Sequence, residues 1–142
     1  DGNESKAYYV QDGLGLKLLQ KHGIHPVLIT ARNSLSAQKR GADLGIDTQI
    51  AVGDKLSSVR ALCAQQGISL EQVAFLGDDL PDLAPLSAVG LSVAPADAHP
   101  WIAERVHWQT RAAGGRGAAR ELCDVLLAAQ GSIDDVLAGF GA

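Results

Sequence analysis

Strand and helix signals alternate along this chain, and the alternation predicts an α/β fold: a doubly wound parallel sheet with helices on both faces. Two observations sharpen the prediction. The run Pro26-Val27-Leu28-Ile29-Thr30 is short and continuously apolar, the mark of a strand buried on both faces. Glycines follow the helical patterns at Gly23, Gly45 and Gly67, where a left-handed residue closes a helix.

Taken in order, Lys6 to Val10 alternates weakly around Tyr8 and Tyr9 and reads as a strand. A helical pattern runs from Asp12 through Leu14, Leu16, Leu18 and Leu19 to His22-Gly23. After the 26–30 strand, Ser34 to Leu44 is helical and Thr48 to Val52 is strand-like. Asp54 can N-cap a helix reaching Gln66. Val73 to Leu76 then forms a strand entering the turn Gly77-Asp78-Asp79. A short helix over 81–87, a strand over 90–93, a last strand over 107–110 and a late helix over 117–130 complete the alternation. The segment 131–142 is weakly helical and expected to fray as a flexible C-terminal tail. No repeat or low-complexity linker divides the chain, which reads as one domain over 1–142.

Composition removes several function classes. The 142 residues are 46% hydrophobic and 20% charged, enough for a real core without a staple. Twelve Lys plus Arg stand against 16 Asp plus Glu, a net charge of -4, so no footprint for nucleic acid exists. Apolar runs are too short to span a bilayer and no signal peptide is visible, which makes the cytoplasm the expected location. Cys63 and Cys123 sit in apolar helical patterns, as buried reduced thiols do. His22 and His25 flank a helix-ending glycine and read as surface residues rather than a metal pair. The chain has no methionine and opens on Asp1-Gly2-Asn3-Glu4, the middle of a turn, so its true N-terminus is expected to be missing.

In an open α/β sheet, ligands sit beyond the carboxyl ends of the strands. The residues there are Thr30, Lys55 in Gly53-Asp54-Lys55, and Asp78-Asp79 with Asp82 one turn along. Each alone has a plain structural reading. Thr30 can simply end a strand, Gly-Asp-Asp is ordinary turn composition, and Asp82 suits a helix start. Lys55 is harder to dismiss, because a cation in a first helical turn opposes the macrodipole. Together, a hydroxyl, an ammonium and a carboxylate cluster suit phosphoryl transfer: carboxylates hold Mg2+, while Thr and Lys stabilise phosphoryl charge.

Ile29-Thr30-Ala31-Arg32, Gly53-Asp54-Lys55-Leu56 and Gly77-Asp78-Asp79-Leu80-Pro81-Asp82 resemble, in order, three motifs of the haloacid dehalogenase (HAD) phosphatase superfamily. Asn3-Glu4-Ser5-Lys6, Val10-Gln11-Asp12-Gly13, the 90–100 segment and Gly114-Gly115-Arg116-Gly117 with Arg120-Glu121 resemble its capless subclass, the 3-deoxy-D-manno-octulosonate 8-phosphate (KDO 8-phosphate) phosphatases. The resemblance implies a Rossmann-like, HAD-like fold without a cap, with an N-terminal hairpin strand over 1–10. It implies Mg2+ as cofactor and Asp78 as a direct metal ligand, with Asp79 and Asp82 supporting the metal shell and orienting Lys55. Thr30 and Lys55 would contact the phosphoryl group, and Lys6, Arg32 and Arg116 the substrate. The nucleophile would be an aspartate of an Asp-x-Asp-Gly motif ahead of Asp1, forming an aspartyl-phosphate.

The implied activity is a phosphoric monoester hydrolase acting on a sugar-acid phosphate in lipopolysaccharide precursor synthesis, assembled as a homotetramer. Ala31 replaces the family's usual glycine, and Gln11 stands where an arginine is common near the substrate. The 114–117 stretch reads either as a flexible loop or as a gate in which Arg116 meets an anionic substrate. Alternatives are a phosphatase for a nine-carbon, sialic-acid-like phosphate, and a non-catalytic subunit kept for assembly. A phospho-accepting receiver domain also combines paired acids, Thr and Lys. Its acids come first along the chain and its Lys last, whereas here the order is Thr30, Lys55, Asp78-Asp79.

Overall fold

The computed structural model describes residues 10–142. Among these residues, five parallel strands alternate with helices. Helix α1 (Val10–Lys21) precedes β1 (Val27–Ile29), α2 (Leu35–Leu44), β2 (Asp47–Gln49) and α3 (Lys55–Gln66). Then come β3 (Ala74–Leu76), α4 (Leu83–Ala88), β4 (Leu91–Ala94), α5 (Pro100–Ala103), β5 (Trp108–Gln109), α6 (Ala118–Ala129) and α7 (Ile133–Gly139). Every strand pair is parallel, as the alternation predicts.

The caps explain where the helices start and stop. Ser34 accepts the Ala37 N–H and Asp54 the Ser57 N–H, each satisfying one orphan donor of a first turn. Gly45 and Gly67 close α2 and α3, both at φ 67°.

The single sheet expected from the sequence is, among the described residues, two sheets: β1-β2 and β3-β4-β5. They share a layer, because Ile29 of β1 packs on the cluster of Val59, Cys63 and Val89 that also receives Phe75. Phe75 also packs on a second cluster, Leu86, Ala94 and Ile102. β4 is the buried centre, with Val93 and Ala94 at 0% exposure.

Several expectations need correction. Val27, Leu28 and Ile29 are half-buried rather than buried on both faces, because β1 pairs along one edge only among the described residues. The strand expected over 48–52 ends at Gln49. Ala51 takes φ 56°, a left-handed conformation that cannot continue an extended strand. Its N–H bonds Arg32 O instead, and Val52 N–H bonds Thr30 O, folding the segment over the end of β1. The tail expected to fray contains α7, whose Val136 packs on the α1–α6 core of Leu18, Leu19, Cys123 and Leu127. The strand expected over 6–10 lies outside the described residues except for Val10, which begins α1. No helix among the described residues is long and apolar enough to cross a membrane.

Candidate active site

An open cleft of about 380 Å3 lies at the carboxyl ends of β1 and β3, between the two sheets. Its lining includes Thr30, Arg32, Lys55, Gly77, Asp78, Asp82, Pro95 and Gly114.

Asp82 organises one side. It is 5% exposed, and its Oδ1 accepts from Lys55 Nζ at 2.6 Å. Its Oδ2 accepts the Asp78 N–H at 2.9 Å and, more weakly, the Asp79 N–H at 3.5 Å. One carboxylate therefore fixes both the ammonium and the turn that presents Asp78. Gly77 makes this approach possible, since a Cβ there would sit 2.5 Å from Asp82 Cβ. Of the two carboxylates expected to orient Lys55, Asp82 makes the contact. Asp79 turns away, its Oδ1 accepting the Leu80 N–H at 2.7 Å as the cap of a 3-10 turn, because an Asp entering such a turn caps its own backbone.

Asp78 projects at the mouth. Loss of hydration beside the chain raises its pKa above the ordinary carboxylate value; the Asp82 and Asp79 charges push the same way, and Lys55 opposes them. Its carbonyl accepts the His99 N–H at 2.9 Å, tying the turn to the segment after β4. Asp54, one residue before Lys55, has a lowered pKa because the Ser57 N–H and hydroxyl both donate to it. This anchors the start of α3, where Lys55 sits against the dipole.

Thr30 extends the β1–β2 ladder through its backbone, donating to Gln49 O and accepting from Val52 N–H, both at 3.0 Å. Its Oγ1 accepts the Arg32 N–H at 3.2 Å, leaving the hydroxyl proton to donate. Arg32 is exposed at the rim.

The opposite side is a loop. Gly114 lines the cleft, and its N–H donates to Asp97 Oδ1 at 2.8 Å. Arg116 is exposed and outside the cleft lining, as is Asp79. Lys6 lies outside the described residues. The structure thus brings together Thr30, Arg32, Lys55, Asp78 and Asp82 in the cleft lining, and leaves the Asp79 and Arg116 side chains outside it.

Three anchoring carboxylates escaped the sequence reading. Glu121 accepts from the Arg111 and Ala112 N–H groups at 3.1 Å. Asp12 accepts from the Arg120 N–H at 2.8 Å and the Gly117 N–H at 3.4 Å. The third is Asp97. The available signal was Gly117, an N-cap residue without a side chain, which obliges α6 to borrow its acceptor from elsewhere.

Residues 51–122 match the model of the haloacid dehalogenase-like hydrolases. The chain is 44% identical over 137 residues to the 3-deoxy-D-manno-octulosonate 8-phosphate phosphatase KdsC of Escherichia coli K12, covering 95% of this chain and 72% of that protein. The chain belongs to the haloacid dehalogenase-like hydrolase family. Solved structures agree with this family's fold. A hypothetical protein from Xanthomonas campestris is 66% identical with a TM-score of 0.96, over 99% of this chain and 77% of that one. The 3-deoxy-D-manno-octulosonate 8-phosphate phosphatase of Moraxella catarrhalis, in complex with magnesium ion, phosphate ion and KDO, is 37% identical with a TM-score of 0.92. That match covers 97% of this chain and 80% of the Moraxella chain. The expected HAD-like, Rossmann-type parallel fold is therefore the family's own.

Among the described residues, no group of three or more His, Cys, Asp or Glu side chains is placed to hold a metal ion. Asp78 with its acidic neighbours still offers the right chemistry. Mg2+ takes hard oxygen ligands, keeps several waters, and uses one or two carboxylates plus the substrate's phosphate. The donor set fits.

Proposed function

We propose that this chain is a Mg2+-dependent phosphatase releasing phosphate from 3-deoxy-D-manno-octulosonate 8-phosphate. The observation that carries the reading is the Lys55–Asp82–Asp78 arrangement: one buried carboxylate fixes a cation and presents a second carboxylate at a cleft mouth. The names of the KdsC relatives and the ligands of the Moraxella structure supply the substrate class.

In this reading Asp78 is a direct Mg2+ ligand, and the bound ion neutralises phosphate charge. Asp82 holds Lys55 rigidly, so its ammonium meets the phosphoryl oxygens without reorganisation. The Thr30 hydroxyl donates to the same group, and Arg32 at the rim faces the anionic end of the sugar. Lys6 and Arg116 are further candidates for contact with the substrate. The reaction proceeds through an aspartyl-phosphate. No Asp-x-Asp-Gly run occurs within the 142 residues, and the reading places the nucleophile ahead of Asp1. The chain acts as one domain, assembled as a homotetramer in the cytoplasm, in lipopolysaccharide precursor synthesis.

The test is phosphate release by the chain together with whatever sequence precedes Asp1 in its gene. Turnover of the eight-carbon sugar-acid phosphate with Mg2+, and its loss with EDTA or in Asp78→Asn, is the expected result. Preference for a nine-carbon, sialic-acid-like phosphate would move the substrate, and full activity of Asp78→Asn would remove that residue from the metal site. Inertness toward both substrates would leave the assembly-subunit reading.

A further inference from the structure

The turn over residues 95–99, just after β4, joins the two sides of the cleft. At one end the His99 N–H reaches Asp78 O at 2.9 Å. At the other, the Ala96 N–H reaches Ala112 O at 3.0 Å, and Gln109 Nε2 donates to Pro95 O and Ala96 O at 3.2 and 3.3 Å. The turn is closed internally by the Ala98 N–H on Pro95 O. It is therefore a braced element whose position is shared with the backbone of Asp78.

The loop it faces is not braced in the same way. Residues up to 112 are held by Glu121, and Gly117 onward by Asp12. Between these anchors the backbone turns through Gly115 at φ 69° and Gly117 at φ 112°, conformations only glycine adopts without strain. The Arg116 N–H bonds locally to Ala113 O. Among the described residues, one bond ties Gly114–Arg116 to another part of the chain: the Gly114 N–H on Asp97 Oδ1 at 2.8 Å. Asp97 is itself exposed, so it has no packing role that would explain its place.

We infer that Asp97 is a positioning residue: through Gly114 it holds the glycine-rich loop at the cleft wall, and so sets the affinity for the non-reacting part of the substrate. It touches neither the phosphoryl site nor the metal carboxylate. Its effect falls on binding energy remote from the reacting centre rather than on the chemical step. The inference rests on the phosphatase reading for its substrate, but the anchoring itself can be read without turnover.

The experiment compares wild type, Asp97→Ala and Asp97→Asn. Asp97→Ala should raise KM for the sugar-acid phosphate about tenfold, with kcat within about twofold, the pattern of lost uniform binding. Asp97→Asn keeps an acceptor oxygen and should restore KM to near the wild-type value. Amide hydrogen exchange at Gly114 should quicken about tenfold in Asp97→Ala and recover in Asp97→Asn. Unchanged Gly114 exchange would overturn the anchoring. Faster exchange with unchanged KM would overturn the affinity role. A fall in kcat at unchanged KM would place Asp97 in the chemical step and overturn the inference as stated. A wild-type enzyme inert toward sugar-acid phosphates, with Gly114 exchange still responding to Asp97, would overturn the substrate reading and the affinity role together.

Discussion

On one side of the cleft, two charged groups face each other almost out of water, with 12% of the Lys55 side chain and 7% of the Asp82 side chain exposed. On the other side, the glycine-rich loop carries its cation, Arg116, in solvent and is held at the Gly114 N–H by Asp97, while Glu121 and Asp12 hold backbone N–H groups on its two flanks. The difference is one of what is fixed. The first side fixes a side chain through direct side-chain hydrogen bonds. The second fixes the path of the main chain and leaves the side chains it carries free to vary. Chemistry that is common to a family suits the first arrangement, and recognition of one sugar acid among several suits the second.

The largest expected effect breaks the rigid side. Removing one member of a buried ion pair leaves the other charge uncompensated, at a cost of about 3–5 kcal/mol. Asp82→Ala should lose that much stability in urea or thermal unfolding, and the Asp78 and Asp79 amides lose their acceptor as well. The double variant Lys55→Met with Asp82→Leu should recover the part of the stability lost to the uncompensated charge, while the Asp78 and Asp79 amides stay without their acceptor. It should still lose about 10²–10³ in kcat, the scale of one missing electrostatic donor. Recovered stability with recovered turnover would return the pair to a purely structural role.

A smaller effect is expected behind the loop. Asp12 lies in α1 and caps α6 across more than a hundred residues of sequence. Asp12→Ala should cost about 1–2 kcal/mol, the upper part of the range for a lost N-cap. Asp12→Asn should regain part of it, since an amide oxygen also accepts. Denaturation midpoints of the three proteins decide the matter, and equal midpoints would show that the α6 amides are satisfied by water instead.

These two cases also show what the sequence could and could not disclose. Thr30, Lys55 and Asp78 were readable because each follows a strand signal, and parallel strands bring their carboxyl ends to one side. Asp82 was readable from position as a helix-start residue, and its pairing with Lys55 across 27 positions was expected only through the family resemblance, because tertiary placement rather than local spacing makes it. Asp97 and Asp12 hold amides far along the chain, and no local spacing encodes such a bond. The early end of β2 had a local cause, the positive φ of Ala51, yet alanine gives no sign of it. The helix over 133–139 was read as weakly helical and expected to fray, because its support comes from the α1–α6 core rather than from its own weak pattern.

The smallest effect tests whether the seam behind the loop is dry. Cys123 is 2% exposed on α6, packed with Leu18, Leu19 and Leu127, and loss of hydration pushes its thiol pKa up to about 12, with the Asp124 and Asp12 charges adding to the rise. A folded-state pKa above the unfolded value means that the folded form holds the proton longer. The stabilisation is fully present below about pH 9, and it is lost as the pH rises from there toward about 12. Between about pH 8 and pH 9.5 the loss should stay below about 1 kcal/mol, the size set by ionisation of an unfolded thiol at 9.0. Cys123→Ala should remove this part of the alkaline slope, leaving other titrating groups to account for the rest. An identical slope in the variant would mean that the thiol ionises in the folded protein, and that water reaches the seam on which the loop's rear anchor depends.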